Sequence, residues 1–224
     1  MERQTEQKEH QSLREKIETW SALHAEDYPP EVRKIFAEKT EEVLKSDILS
    51  KTPRAGDLAP DFTLPTSTGT LVNLREMTKY GPVILNFYRG TWCPYCNIEF
   101  ESLLASMPQF RSHQASVLAV SPQVLDRNSE PVEADFLDLC DQGNKVAGKF
   151  GLVYPLGDKI KAVFQQFGIL LEELNQDAAY EVPVPATYVI DKEMRIRYAR
   201  AEADIMERAE PREILSCLQT IYNQ

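Results

Sequence analysis

The stretch PVILNFYRGTWCPYCNIEF, residues 82–100, runs from an apolar segment through a cysteine pair into a helical pattern. Residues 82–88 read as a strand buried on both faces, because the apolar run does not alternate with polar residues. From Cys93 onward, Phe100, Leu103, Leu104 and Met107 recur at helical spacing. Cys93 and Cys96 therefore open a helix that leaves a buried strand. Pro94, between them, suits a first helical turn, where no N–H is needed. Trp92 stands in front of the pair and can shield it on one side.

That placement has chemical consequences. A helix N-terminus offers unpaired N–H groups and a partial positive charge, both of which stabilise an anion. Cysteine pKa values fall from about 8.5 to roughly 3.5–7.5 at such sites, and the thiolate is the nucleophile. A second cysteine one turn away can then attack a mixed disulfide or sulfenic acid formed on the first. Structural zinc is disfavoured: it wants four ligands, usually two close pairs, whereas Cys140 and Cys217 stand alone and His10, His24 and His113 form no pair. Cys140, ending an apolar stretch, and Cys217, in a terminal helix, read as small core residues.

Working outward, the chain alternates strands and helices. Residues 62–64 and 71–74 flank a Gly-containing turn and read as a hairpin. Residues 115–121 and 135–139 are two more strands. Short helices are expected at 144–151 and 158–167. Residues 186–191 and 195–201 form a hairpin, and a helix starting at Pro211 faces inward with Ile214, Leu218 and Ile221. The pattern is α/β, a mixed central sheet flanked by helices. Before it, Leu13, Ile17, Trp20 and Leu23, then Val32, Ile35, Phe36, Val43 and Leu44 behind Pro29 and Pro30, mark two amphipathic helices. They pack on the main domain or on a second subunit, which leaves a homodimer open. Residues 1–52 are thus read as a helical extension and 53–224 as the main domain.

Composition narrows the class. The 224 residues hold 25 Lys/Arg and 35 Asp/Glu, a formal net charge of −10. Phosphate-backbone affinity comes mostly from Lys and Arg, so nucleic-acid binding is not expected. No apolar run approaches the roughly 20 residues of a membrane span, and the charged N-terminal stretch lacks the apolar core of a secretory signal. A cytoplasmic protein is expected, in which close cysteines are more often catalytic or metal-binding than static. With no G-x-G-x-x-G and 9 glycines, no nucleotide cofactor is expected.

GDLAPDFTL, VILNFYRGTWCPYCNIEF, LAVSPQ and VPVPATYVID resemble the peroxiredoxin-like branch of the alkyl hydroperoxide reductase/thiol-specific antioxidant (AhpC/TSA) family, from about residue 55 to the C-terminus. The resemblance implies a thioredoxin-like fold and reduction of hydrogen peroxide or organic hydroperoxides, with thioredoxin or another dithiol as reductant and no cofactor or metal. Laid on the family signature, Cys96 falls on the peroxidatic cysteine, with Cys93 as the adjacent resolving thiol and Glu99 on a family glutamate. Arg89 stands where the signature has proline, Cys93 where it has threonine, and Pro185 near its distant arginine. Arg89 is the nearest replacement cation. Pro185, by resemblance to thioredoxin-type domains, is expected to be cis and to lie against the pair. Two other activities stay open: a thiol–disulfide oxidoreductase in which Cys93 attacks disulfides, and a non-enzymatic redox sensor or partner-binding scaffold.

Overall fold

The computed structural model describes residues 11–124 and 135–223. His10 and most of the charged N-terminal stretch lie outside them. The first helix, α1 (Leu13–Leu23), is closed by a reciprocal cap: the Glu15 N–H donates to Ser12 Oγ at 3.2 Å and the Ser12 N–H to the Glu15 carboxylate at 2.8 Å. This satisfies two donors that a helix start otherwise leaves open. A short turn leads to α2 (Pro30–Lys45), which begins on a proline. Leu13, Ile17, Val32 and Val43 are buried. Leu23 and Leu44, assigned to the same apolar stripes, are instead 74% and 56% exposed. Leu23 is the last residue of its helix, and Val43 takes the inward place beside Leu44.

The hairpin β1 (Thr63–Pro65) and β2 (Leu71–Asn73) precedes α3 (Leu74–Thr78). Then come β3 (Val83–Phe87), α4 (Pro94–Ala105), α5 (Met107–Ser112), β4 (Ser116–Ser121), β5 (Phe136–Cys140) and α6 (Lys145–Lys149). Met107, read as part of the cysteine helix, starts α5 instead; Pro108 follows it and suits a new first turn. The chain continues through β6 (Val153–Pro155), α7 (Asp158–Gln166), α8 (Leu171–Asn175), β7 (Glu181–Pro183), β8 (Ala186–Ile190), β9 (Ile196–Ala201) and α9 (Pro211–Tyr222). The central sheet has the order β5-β4-β3-β8-β9, with β3 parallel to β4 and antiparallel to β8. It is the expected mixed sheet.

All of β3 is buried because both sheet faces are covered. Val83, Leu85 and Phe87 join one apolar cluster, with Phe150 and Tyr188. Ile84 and Tyr88 join the other, with Leu103, Phe110, Ile214 and Leu218, and both Cys93 and Cys96 belong to this second cluster. The period of two along the strand thus decides which face receives the cysteines. Cys140 and Cys217 are not core residues as read; both are half-buried, since β5 ends the sheet's order and Cys217 sits one place off the buried Ile214–Leu218 stripe of α9. Among the described residues no helix is long and apolar enough to cross a membrane.

Candidate active site: a cysteine pair at a helix N-terminus

β3 delivers the chain into a tight loop at residues 89–92. Gly90 adopts φ +135°, and a Cβ there would lie 2.5 Å from Trp92 Nε1 and 2.7 Å from Gln123 Oε1. Only glycine fits. Gln123 pins the loop: its Oε1 accepts the Thr91 N–H at 2.8 Å, and Asn97 Nδ2 donates to the Thr91 carbonyl at 2.9 Å. Cys93 then takes the N-cap position of α4, in extended backbone geometry, and its carbonyl accepts the Asn97 N–H at 3.1 Å.

Both thiols are reduced and buried; Cys93 has no exposed surface and Cys96 2%. Arg89 Nη2 donates to Cys93 Sγ at 2.9 Å. The same guanidinium lies 5.2 Å from the centroid of Trp92, whose ring in turn packs on Phe164. Burial alone would raise both thiol pKa values. For Cys93 it is overcome by hydrogen bonding from the Cys96 thiol, by the charges of Arg89 and Arg208, and by the Cys96 backbone N–H, so that its pKa falls well below the ordinary thiol value. Cys96 moves the other way: burial, then its hydrogen bond to Cys93 and repulsion from the Cys93 charge, hold it well above. Two sulfurs this close do not both ionise, and the cation in contact selects Cys93.

Below the pair lies a buried polar cluster. Glu99 accepts hydrogen bonds from Asn86 Nδ2 at 2.9 Å and Arg208 Nε at 2.9 Å, and Asn86 also donates to Thr187 Oγ1 at 3.1 Å. Burial pushes the Glu99 carboxyl up to about 7; Arg208 opposes the rise and the Cys96 charge adds to it. Arg208 is 2% exposed at the side chain and its Nη2 has no partner. Sequence reading missed this residue. It lies in the connection between β9 and α9, far along the chain from the cysteines, and nothing in its local pattern sets it apart.

The fold brings Arg89, Trp92, Cys93, Cys96 and Glu99 together. Pro185 is buried just before β8, but its peptide bond with Val184 is trans, not cis; no cis bond occurs among the described residues. The backbone here runs on in extended form: the Val184 N–H donates to the Leu152 carbonyl at 2.8 Å and the Pro185 carbonyl accepts the Glu202 N–H at 3.2 Å. Also among the described residues, no three His, Cys, Asp or Glu side chains are grouped to hold a metal ion.

Comparisons with known proteins give the fold and the family. Peroxiredoxin Bcp of Escherichia coli K12 is 31% identical over 102 residues, covering 44% of this chain and 65% of the relative. A protein of Helicobacter pylori J99 described as a peroxiredoxin bcp is 32% identical over 98 residues, covering 42% and 64%. The chain therefore spans about two thirds of the length of these relatives. Among solved structures, peroxidoxin BcpB from Mycobacterium tuberculosis superposes with a TM-score of 0.54 at 22% identity, over 75% of this chain and 97% of that one. A reduced 2-Cys peroxiredoxin from Plasmodium vivax does so at 0.54 and 15%, over 76% and 83%. At these identities the likeness establishes the thioredoxin-like fold. The family model for AhpC/TSA matches residues 55–199, most of the chain, and includes the whole cysteine loop; the chain belongs to the AhpC/TSA family.

Proposed function

We propose that the chain is a thiol-dependent peroxidase whose resting nucleophile is Cys93. The contact between Arg89 Nη2 and Cys93 Sγ carries the reading, because it joins a cation to a buried thiol at a helix N-terminus. Family resemblance puts the attacking sulfur at Cys96; local electrostatics favours Cys93. The Cys93 thiolate attacks the terminal oxygen of a hydroperoxide, the O–O bond breaks, and the alkoxide leaves as the alcohol after taking a proton. Cys93 is then a sulfenic acid. Cys96, one turn on, displaces its oxygen as water and closes a disulfide. Charge developing on the leaving oxygen is offset by the guanidiniums of Arg89 and Arg208. Glu99, at about 7, can hold the proton that Cys96 loses. A dithiol such as thioredoxin, available in a reducing cytoplasm, returns the pair to two thiols.

One observation favours thiol–disulfide exchange instead: the low-pKa sulfur is the first of an intact C-x-x-C pair. The deciding experiment measures turnover of hydrogen peroxide against a dithiol reductant for wild type, Cys93→Ser and Cys96→Ser. A peroxidase of the proposed order sustains turnover only in wild type, and Cys96→Ser consumes one equivalent of peroxide and stops. Rapid disulfide reduction with negligible peroxide turnover would replace the reading with the exchange activity. A single oxidation without turnover in wild type would identify a sensor.

A further inference from the structure

A cavity of about 570 Å³ runs from the surface to Arg89 and Trp92. Its walls come from two sources. The family match begins at residue 55, yet Trp20, Tyr28, Phe36, Ala37 and Thr40 of α1, α2 and their connection form one side. Phe164 and Phe167 of the family-matching part face them. Aromatic rings make a continuous lining: Trp92 lies 5.1 Å from Phe164, Phe164 6.2 Å from Phe36, Phe36 6.1 Å from Tyr28, and Tyr28 5.4 Å from Phe167. At the inner end Arg89 is 6% exposed, its Nε has no hydrogen-bond partner, and its Nη2 touches the Cys93 sulfur.

We propose that this cavity is a substrate site built by the N-terminal helices, which takes the apolar body of a bulky organic hydroperoxide and delivers its peroxide oxygens to Arg89. The assignment rests on the peroxidase reading above. Size and lining suit a small organic ligand: such sites are typically about 300–1,000 Å³, mostly apolar, with few polar groups to fix orientation. Hydrogen peroxide needs none of this space. A buried donor without a partner is unfavourable, and the oxygens of a hydroperoxide are acceptors that complete Arg89. Nη2 of the same guanidinium holds the sulfur that attacks. An apolar body in the aromatic channel therefore sets the peroxide head beside the guanidinium that contacts Cys93, and because that sulfur has no exposed surface a small shift of Arg89 completes the approach. The reaction is the one already written, with the bulky alcohol leaving at O–O cleavage and water at disulfide closure.

Both tryptophans of the chain, Trp20 and Trp92, line the cavity, so intrinsic fluorescence reports occupancy directly. The test uses the full reduced chain with cumyl alcohol, the unreactive product of cumene hydroperoxide, together with steady-state kinetics on cumene hydroperoxide and hydrogen peroxide. The expected results are a saturable fluorescence change and, in Ala37→Phe, a fall of about tenfold or more in kcat/KM for cumene hydroperoxide relative to that for hydrogen peroxide, which corresponds to about 1.4 kcal/mol. Thr40→Phe is the second filling variant should the first fail to fold. No saturable change with cumyl alcohol, or an equal fall for both peroxides, overturns the substrate site. Absence of turnover with both peroxides in wild type overturns the peroxidase reading separately, because cumyl alcohol binding does not depend on catalysis.

Discussion

A thiolate with no exposed surface is costly unless a cation lies against it, since removing one partner of a buried pair typically costs about 3–5 kcal/mol. Arg89 meets that demand for Cys93 from the preceding loop, with its own orientation fixed by Trp92. Arginine suits the task better than lysine because it stays charged when buried and stacks on an aromatic face. Arg89→Met keeps most of the volume and removes the charge. The pH midpoint for alkylation of the reactive thiol should rise by at least about one unit, which leaves about tenfold less thiolate at pH values below both midpoints. Iodoacetamide rates against pH, read on the reduced protein, check this; an unchanged midpoint would assign the low pKa to the Cys96 hydrogen bonds and the Arg208 charge without Arg89. Arg89 was nameable from sequence because it sits next to the cysteine loop. Arg208 was not, because the contact that identifies it, with Glu99 at 2.9 Å, is created by the fold.

At the scale of elements, α1 is fixed across α4. Trp20 packs edge-on against Tyr95, the residue between Pro94 and Cys96, at 5.3 Å, and Lys16 Nζ donates to Ser102 Oγ at 3.3 Å. The start of α1 is fastened by another helix's N-cap: Glu210 accepts the Leu13 N–H at 3.1 Å and the Arg14 N–H at 2.9 Å. One carboxylate thus meets two helix N-termini, where the partial positive charge favours it. Glu210→Ala should cost about 1–2 kcal/mol in urea unfolding and speed tryptic cleavage at Arg14 and Lys16; identical cleavage rates would mean that packing of Ile17 alone holds α1. Elements with long periods were legible from sequence. The strands at 83–87, 116–121 and 186–190 announce themselves as apolar runs, and α9 by its inward stripe. The pair Val153–Pro155 and Glu181–Pro183 was not legible, because segments so short carry no period and their pairing is set at a distance. Helix α8, at five residues, is also too short to show a period.

For the whole molecule, α/β order and strand-to-cysteine connection were readable, whereas the union of α1, α2 and the cysteine face over one cavity was not. Amphipathic helices announce that one side is covered but do not name the cover. Connectivity here runs through a short segment: Arg208 reaches Glu99 beneath the cysteines, while Glu210, two residues on, fastens α1. The burial of both sulfurs has a kinetic consequence. On the peroxidase reading a hydroperoxide enters by the cavity that ends at Arg89, but a protein dithiol must bring its own sulfur in line with a Cys93–Cys96 disulfide, and neither sulfur has more than 2% exposed surface. Recycling therefore waits on an opening event. Reduction by a protein dithiol should reach a ceiling as its concentration rises, with the ceiling equal to the opening rate, while reduction by dithiothreitol climbs further at equal thiol concentration. Stopped-flow tryptophan fluorescence of the oxidised protein distinguishes the two, and strict linearity with the protein reductant would show that the door stands open. With such a ceiling the slow clock of the cycle belongs to the fold's breathing and not to sulfur chemistry, so the oxidised form accumulates under peroxide load whatever the supply of reductant.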